Sequence, residues 1–323
     1  MGSETAAAAA ATVKIPLIDF SKTAPLKQDS LEWDSLRSQV GEAVEEYGCF
    51  EASFDEIPAD SLSAVFKSVK ELFDLPLETK LKNTSKKPLH GYVGQYPILP
   101  LYESMGIEDA DVLEKVEGST KSLWSHGNPA FSESIVFYTK QLSVLDQMVR
   151  RMIVESFGLE EYVDEHLNST IYLLRMMKYK AAQTCDEEQG MHPHTDKDMI
   201  TILCQNGVDG LEVKNKTDGQ WIKCQFSRPT SFIVLVGDSL YAWLNGRVHS
   251  PVHRVTMSRS ETRYSLGLFV VPKAGYVVKA PDEMVDEQHP LLFRPYDFVE
   301  FFKFYDTEAG QKSANALREY CGA

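Results

Sequence analysis

Short strand-length runs fill the chain from about residue 169 onward, and they constrain its fold more than any other feature. Dipeptides such as Asn206-Gly207 and Asp218-Gly219 separate the runs and favour tight turns. The predicted strands are Ile171 to Tyr179, Met199 to Cys204, Leu211 to Val213, Trp221 to Cys224, Phe232 to Val236, Tyr241 to Leu244, His253 to Thr256 and Arg263 to Val271. Such spacing predicts a mainly β protein built on a double-sheeted jelly roll, the double-stranded β-helix.

Helical periodicity of apolar residues marks the first half of the chain and its end. It predicts helices over 31–47, 60–75, 132–157 and 296–320. Residues 81–127 are rich in proline and glycine, and we expect a long irregular connection there. The predicted units are a disordered tail (1–13), an N-terminal domain (14–120), a supporting long helix (121–168), a jelly-roll domain (169–275) and a C-terminal helical extension (276–323).

The composition limits which binding partners and which cellular compartment are expected. The net charge is −14, and no lysine- or arginine-rich run stands out, so nucleic acid is not an expected partner. Five cysteines without a C-x-x-C pair argue against a disulfide framework and for a reducing compartment. No apolar run approaches the roughly 20 residues of a bilayer span. We expect a cytoplasmic monomer that does not bind membranes.

Two histidines and one carboxylate form a candidate metal site. His194 and Asp196 lie two residues apart in an H-x-D pair, and in an extended segment both face the same side. His253 begins a distant predicted strand and supplies a second imidazole. This donor set suits Fe(II) or catalytic zinc, and spacing alone leaves both metals open. His192 competes with His194 as a ligand, although a solvent-facing or supporting role is expected for it.

Arg263 and Ser265 shift the balance toward iron. They lie two residues apart on one predicted strand, so their side chains share a face. A guanidinium group matches a carboxylate in geometry and charge, and the pair therefore suits a carboxylate co-substrate. A zinc hydrolase needs no second fixed carboxylate anchor.

Landmarks in a fixed order extend this pattern over nearly the whole chain. They are Ile15-Pro16-Leu17-Ile18-Asp19, Glu46-Tyr47-Gly48-Cys49-Phe50, Leu72-Phe73-Asp74-Leu75-Pro76, His194-Thr195-Asp196, Thr201-Ile202-Leu203 with Gln205, Gly210-Leu211, Asn245-Gly246, His253-Arg254-Val255 and Arg263-Tyr264-Ser265. With them the chain resembles the plant 2-oxoglutarate- and Fe(II)-dependent dioxygenases. Departures such as Met177-Lys178-Tyr179-Lys180, together with Gly91-Tyr92-Val93-Gly94-Gln95, are similar to the AOP-type branch, named for glucosinolate side-chain oxygenases.

The resemblance implies a reaction and a set of roles. His194, Asp196 and His253 would hold Fe(II), which makes 14–120 a dioxygenase N-terminal domain and 169–275 the catalytic jelly roll. Arg263 and Ser265 would bind the distal carboxylate of 2-oxoglutarate, and Tyr179 would assist. Dioxygen would be the second co-substrate, ascorbate a supporting reductant, and succinate and CO2 the released products. The expected substrate is a small plant specialised metabolite that is hydroxylated or otherwise oxidised.

Several side chains are candidates to contact that substrate. Strand alternation places Arg175 and Met177 on the face of Tyr179. An inward-pointing Arg175 needs either a structural acid or a substrate oxygen as its partner. Phe269 shares the face of Arg263. Candidates for a lid over the pocket are the two residues Tyr92 and Gln95.

Other functions stay open at this point. Within the enzyme class, the alternative is an oxidase of a plant hormone of the auxin type. From another class, the alternative is a catalytically silent ligand-binding protein on the same fold, although none of the expected ligands or anchors is missing. A zinc hydrolase is a third hypothesis.

Overall fold

The computed structural model describes residues 14–21, 30–182, 188–258 and 261–323, so the predicted tail over 1–13 lies outside the described residues. The strands are β1 (Leu17–Asp19), β2 (Cys49–Ser53), β3 (Gly91–Gly94), β4 (Tyr102–Glu108), β5 (Thr170–Tyr179), β6 (Glu188–His194), β7 (Ile200–Gln205), β8 (Leu211–Lys214), β9 (Trp221–Lys223), β10 (Ser231–Val236), β11 (His253–Met257), β12 (Arg263–Pro272), β13 (Val277–Val278) and β14 (Tyr296–Asp297).

Helices occur mainly before and after the run of strands. The α-helices are α1 (Leu31–Glu46), α2 (Ala59–Asp74), α3 (Leu77–Lys80), α4 (Leu113–Leu123), α5 (Pro129–Ser156), α6 (Val163–Asn168), α7 (Asp238–Trp243), α8 (Phe298–Tyr305), α9 (Glu308–Lys312) and α10 (Ala316–Cys321). Short 3₁₀ turns cover Glu160–Tyr162 and Asp282–Met284.

Two sheets form the core and confirm the predicted jelly roll with flanking helices. The larger sheet has the strand order β1-β2-β10-β7-β12-β5-β4-β3, and the smaller has the order β6-β11-β8-β9. Alternating side chains of the larger sheet divide between two apolar clusters. One cluster joins the sheet to the helices, while the other joins it to the smaller sheet. The functional residues described below lie in the space between the two sheets.

Helix α5 supports the larger sheet on its helical side. Its 28 residues begin at Pro129 after Asn128, whose side chain accepts a hydrogen bond from the Phe131 amide and caps the helix. The hydroxyl of Tyr138 lies 3.1 Å from the sulfur of Cys204 on β7. Helices α1, α2 and α4 in turn contact α5. A layer of helices therefore shields one face of the sheet and leaves the other face for the site.

Four local predictions are wrong. Residues 81–127 are not irregular throughout, because β3, β4 and α4 lie within them. Six of the seven β4 residues are buried, so no polar alternation marks the strand. Residues 241–243 of the apolar run at 241–244 belong to α7, and Asn245 and Gly246, with φ of 48° and 80°, follow shortly after its end. Short apolar runs do not distinguish a strand from a buried helix.

The other two errors concern β6 and the C-terminal helix. The glycine and the proline of Gly190-Met191-His192-Pro193 predict a loop, but these residues belong to β6. This strand lies at the edge of its sheet, where proline is tolerated. The helix predicted over 296–320 is divided into α8, α9 and α10. Thr307 and Asn315 interrupt it, since each caps a new helix with its side chain.

His166 on α6 is a buried base without a hydrogen-bond partner. Neither ring nitrogen has one among the described residues, and the ring centroid lies 4.5 Å from that of Trp243. Burial and then the nearby Arg150 hold the pKa of His166 well below its usual value. The unfolded chain binds a proton here below about pH 6.5, whereas the folded chain resists protonation. The protein should therefore lose stability as the pH falls through that value.

We expect His166→Phe to reduce this loss. Between about pH 7.5 and about pH 5.5, His166 contributes roughly 1 kcal/mol to the decrease in the free energy of unfolding. The variant lacks the titrating group, so its free energy of unfolding should fall by about that much less. Urea titrations followed by circular dichroism at both pH values measure the difference. His126→Gln, at an exposed histidine, is the control and should follow the wild type. Equal pH dependence in wild type and His166→Phe would contradict the assignment.

Candidate metal centre and active-site cavity

Strand pairing brings the two predicted imidazole ligands together. His194 ends β6 and His253 begins β11, and the antiparallel register pairs them directly. Their ring centroids lie 4.3 Å apart. Directly opposed residues in an antiparallel pair project to the same face, so both rings point into the space between the sheets. Asp196 follows β6 by two residues and completes the cluster.

The donor atoms of these three residues converge. One ligand atom from each of His194, Asp196 and His253 lies within 4.8 Å of the other two. The two carboxylate oxygens of Asp196 lie 3.7 Å from Nε2 of His194 and 3.7 Å from Nε2 of His253. Two imidazoles and one carboxylate on one side of a common centre match the facial donor set of Fe(II). These side chains therefore fit the metal.

Backbone carbonyls orient both imidazoles. Nδ1 of His194 lies 2.8 Å from the carbonyl oxygen of His192, and Nδ1 of His253 lies 3.2 Å from that of Pro251. A carbonyl only accepts, so each Nδ1 must donate and each Nε2 keeps its lone pair for a metal. The side chain of His192 is itself exposed, as expected for the competing histidine.

Thr201 on β7 holds the carboxylate. Its hydroxyl donates to Oδ2 of Asp196 at 2.6 Å. Burial by itself would raise the pKa of Asp196, but His253, His194 and this hydrogen bond hold it below the usual value. Desolvation and the neighbouring His253 lower the pKa of His194 to about 4. At neutral pH the cluster therefore combines a charged carboxylate with a neutral His194 imidazole, the form that binds a metal.

Arg263 is a buried cation that lacks an acidic partner. Its side chain is 1% exposed, and among the described residues no carboxylate lies within ion-pair distance of it. Nε donates to the side-chain oxygen of Gln205 at 3.0 Å, and Nη2 lies 3.5 Å from the hydroxyl of Ser265. The guanidinium carbon lies 5.2 Å from the ring centroid of Tyr179. Desolvation lowers the pKa of Arg263, which an incoming carboxylate would offset.

Gln205 orients the guanidinium of Arg263, and a hydrogen bond to Asp209 holds Gln205 itself in place. Its amide nitrogen donates to Asp209 at 2.8 Å, which leaves the amide oxygen turned toward Nε of Arg263. The hydroxyl of Ser265 donates to the backbone oxygen of Cys204 at 2.8 Å. These contacts hold Arg263 on one side, so its remaining N–H groups are available for an anionic ligand. That arrangement fits the distal carboxylate of 2-oxoglutarate.

A single cavity joins the metal cluster, the Arg263 anchor and most of the predicted substrate contacts. Its lining consists of Tyr102, Arg175, Met177, Tyr179, Met191, His194, Asp196, Leu203, Leu211, His253, Val255, Arg263, Ser265 and Phe269. Arg175, Met177 and Phe269 thus share the cavity with the metal cluster. Apolar residues from both sheets form its walls, and such walls exclude water from a reactive centre.

Tyr92 and Gln95 lie outside that lining. The buried hydroxyl of Tyr92 donates to Glu103 at 3.0 Å, and the amide of Gln95 donates to the Tyr92 oxygen at 3.2 Å. Gln95 lines a neighbouring surface pocket, which shares Tyr102 with the inner cavity. The sequence did not single out Tyr102 or Thr201 as a site residue. Leu101-Tyr102-Glu103-Ser104-Met105 resembles the AOP-type branch, but only the pairing of β4 with β5 shows that Tyr102 reaches the cavity.

The fold and the donor set together define a class of protein. A double-sheeted β core that presents two imidazoles and one carboxylate, beside a buried arginine, is the arrangement of non-haem Fe(II) oxygenases. Residues 168–272 match the family described as 2OG-Fe(II) oxygenase superfamily. Residues 15–98 match the family described as non-haem dioxygenase in morphine synthesis N-terminal.

Individual proteins show the same relationship. A "Probable 2-oxoglutarate-dependent dioxygenase AOP1.2" of Arabidopsis thaliana is 50% identical over 313 residues, which cover 95% of each chain. The dioxygenase for auxin oxidation from rice is 28% identical and superimposes with a TM-score of 0.80, covering 96% of this chain and 100% of that one. Dioxygenase for auxin oxidation 1 from Arabidopsis thaliana, in its 2-oxoglutarate complex, is 27% identical with a TM-score of 0.76, covering 85% and 99%.

The chain belongs to the 2OG-Fe(II) oxygenase superfamily and, within it, to the AOP-like branch of plants. It is a 2-oxoglutarate-dependent dioxygenase, with Fe(II) as cofactor and 2-oxoglutarate and dioxygen as co-substrates. The resemblance, the enzyme class and the cofactors predicted from the sequence are thus confirmed.

Replacement of Gln205 tests whether this residue orients the guanidinium group of Arg263. In Gln205→Leu, Nε of Arg263 loses its acceptor, and a hydrogen bond to a charged group contributes roughly 1.5 kcal/mol. We therefore expect the 2-oxoglutarate concentration for half-maximal turnover to rise about tenfold. Succinate formation measured against 2-oxoglutarate concentration gives this value. Gln220→Leu, at an exposed glutamine, is the matched control. If the requirement in Gln205→Leu equals that of the control, Gln205 does not position the anchor.

Proposed function

We propose that this enzyme hydroxylates or otherwise oxidises a small plant specialised metabolite, with release of succinate and CO2. The observation that carries the proposal is that the directly paired His194 and His253 share one cavity with Asp196 and the proposed anchor Arg263. The relationship to AOP1.2 at 50% identity supports the choice of branch. Ascorbate acts as the supporting reductant.

Each proposed site residue has a separate role. His194, Asp196 and His253 hold the metal, and Thr201 keeps the carboxylate of Asp196 turned toward it. Bound Fe(II) supplies the redox chemistry that couples the decarboxylation of 2-oxoglutarate to oxidation of the substrate.

A second group of residues binds the co-substrate. Arg263 and Ser265 receive the distal carboxylate of 2-oxoglutarate. Tyr179 lies under the guanidinium and offers its hydroxyl, whose only contact within the described residues is the weak acceptor sulfur of Met177 at 3.7 Å.

We propose that the substrate contacts residues of the paired strands β5 and β12. Arg175 and Met177 on β5 and Phe269 on β12 line the cavity beside the metal cluster, which supports their role in substrate binding. Gln95 lines the adjoining surface pocket, and Tyr92 supports Gln95 through its hydroxyl. We propose that these two residues contact the part of a larger substrate that extends past Tyr102.

The proposal includes the compartment, the oligomeric state and the domain division of the enzyme. We infer a cytoplasmic monomer that binds neither nucleic acid nor membranes, and we keep the predicted division at 14–120, 121–168, 169–275 and 276–323. Buried thiols at Cys49, Cys204, Cys224 and Cys321 are compatible with a reducing compartment. None of the helices within the described ranges combines the length and apolar character that a bilayer span needs.

A second candidate is oxidation of an auxin-type hormone. The similarity to the rice dioxygenase for auxin oxidation, at 28% identity, favours it. Turnover of indole-3-acetate in the presence of Fe(II) and 2-oxoglutarate tests this candidate directly. A silent ligand-binding protein has less support, because all three proposed metal ligands and both anchor residues are present and close together.

Removal of a proposed metal ligand should abolish activity. In His194→Ala or Asp196→Ala, two donors are too few to hold iron at the centre, and we expect succinate formation to fall to background. The assay contains Fe(II), ascorbate and 2-oxoglutarate, and iron content is measured in parallel. His192→Ala is the matched control, because it removes an exposed imidazole but keeps the carbonyl that orients His194. Turnover in the alanine variants at the wild-type level would refute the proposed site.

Loss of Arg263 should weaken the binding of 2-oxoglutarate and leave the metal site intact. Arg263→Ala deletes a charged hydrogen-bond donor in a buried site, a loss of roughly 2–3 kcal/mol. We expect the 2-oxoglutarate requirement to rise about 30- to 150-fold, while iron content stays at the wild-type level. Arg151→Ala, on the outer side of α5, controls for loss of an arginine elsewhere. An unchanged 2-oxoglutarate requirement would remove Arg263 from the anchor role.

A further inference from the structure

Arg175 is a second buried cation in the same cavity, and no acid in the described part of the chain forms an ion pair with it. Its side chain is 6% exposed, and within the described residues its Nε is buried without a hydrogen-bond partner. The hydrogen bonds that the guanidinium forms to the rest of the described chain go to two neutral oxygens. Nη2 donates to the hydroxyl of Tyr102 at 2.6 Å and to that of Ser104 at 2.9 Å. A buried guanidinium group with only hydroxyl partners remains electrostatically uncompensated.

The side-chain charges around the cavity indicate that the bound state needs one additional negative charge. Among the residues that the structure describes, Asp196 is the only acid that lines the cavity, whereas Arg175 and Arg263 both line it. By the proposed function, a divalent metal and doubly charged 2-oxoglutarate balance each other, and Asp196 balances one arginine. One positive charge is left over. A substrate with a single negative charge would neutralise it.

The register of β5 and β12 separates the two arginines. Arg263 pairs with Tyr179, and Arg175 pairs with Gly267, so the two pairs lie four residues apart on the ladder. At about 3.4 Å per residue the backbone positions are roughly 14 Å apart. Gln205 and Ser265 contact Arg263, whereas Tyr102 and Ser104 contact Arg175 (above). Separate partners hold the two guanidinium groups, so each can take its own anion.

Gly267 and Phe269 shape the space at Arg175. The guanidinium carbon lies 5.5 Å from the ring centroid of Phe269. A Cβ at Gly267 would lie 2.7 Å from the Phe269 ring, so the ring reaches Arg175 only because residue 267 has no side chain. An aromatic face below the guanidinium fixes its plane and leaves its edge for hydrogen bonds. This edge carries the unpartnered Nε.

We propose that the substrate is a small organic acid and that Arg175 binds its carboxylate. This inference rests on the proposed function and specifies the substrate class of the same cavity. The carboxylate pairs with the guanidinium edge, and the carbon skeleton extends over Phe269 and Met177 toward the metal cluster. Arg175 is then the residue that selects acids over neutral analogues.

Binding of matched acids and amides tests the proposal without turnover. Hexanoate, phenylacetate and cinnamate, each beside its neutral primary amide, are titrated calorimetrically into protein saturated with 2-oxoglutarate and Mn²⁺. The co-substrate occupies Arg263, so an acid must find another cation. We expect at least one acid to bind the wild type about tenfold or more tightly than its amide. No preference for any acid would overturn the proposal.

Two variants assign the preference to a residue. Arg175→Met keeps the length of the side chain but not its charge, and the preference for the acid should disappear. Arg175→Lys restores the charge and should recover part of the preference, which separates charge from folding. Lys180→Met is the matched control, since Lys180 is an exposed cation at the adjoining surface pocket. A preference that survives in Arg175→Met, or that vanishes in Lys180→Met, would refute the assignment to Arg175.

A separate measurement distinguishes this inference from the proposed function. Wild-type enzyme with Fe(II), ascorbate and 2-oxoglutarate is assayed for succinate without added substrate. If succinate forms but no acid is preferred over its amide, the acid-binding role fails and the proposed function stands. If acids are preferred but succinate never forms, with or without them, the proposed function fails while Arg175 still binds acids.

Discussion

The pairing of β6 with β11 is the interaction on which the candidate site depends. It sets His194 opposite His253, and the chain that leaves β6 then brings Asp196 back to the same centre. His253 also pairs with Val213 of β8, so the strand that carries it has neighbours on both sides. A strand with two hydrogen-bonded neighbours cannot shift its register without breaking both ladders. The metal donors are therefore held by backbone pairing, and the backbone carbonyls orient the rings.

Buried charges in this protein divide into two kinds. Arg150 and Asp146 form two hydrogen bonds of 2.7 and 2.6 Å in the helical layer, and Glu103 lies between Lys80 and Lys178. These charges are compensated within the chain, and they hold elements together.

No acid that the structure describes pairs with Arg263 or Arg175, and both arginines line the active-site cavity. Because an unpaired buried charge is costly, we infer that these positions are kept for ligands that bring the opposite charge. Electrostatic compensation thus separates the structural cations from the ligand-binding ones.

The sequence predicted those parts whose signal is local. Helical periodicity located α1 and α5, strand-length runs located β5, β7 and β12, and the H-x-D pair with Arg263 and Ser265 indicated the chemistry. Prediction from the sequence failed where strand pairing between distant segments, and not the local pattern, determines the structure. Tyr102 and β4 were hidden in a segment rich in proline and glycine, and the imidazole contact across β6 and β11 depends on an edge strand that contains proline. Such contacts join residues far apart in the chain, and no local pattern records them.

The sequence by itself determined the reaction class, because the residue types that bind Fe(II) and a carboxylate are chemically restricted and follow one another in a recognisable order. Only the tertiary structure decided which side chains share the cavity. It brought Arg175 and Phe269 beside the metal cluster and left Tyr92 and Gln95 outside the inner lining. It also showed that none of the acids in the described ranges pairs with Arg175. The physical reason is that a charge is compensated by neighbours in space, and strand pairing chooses those neighbours.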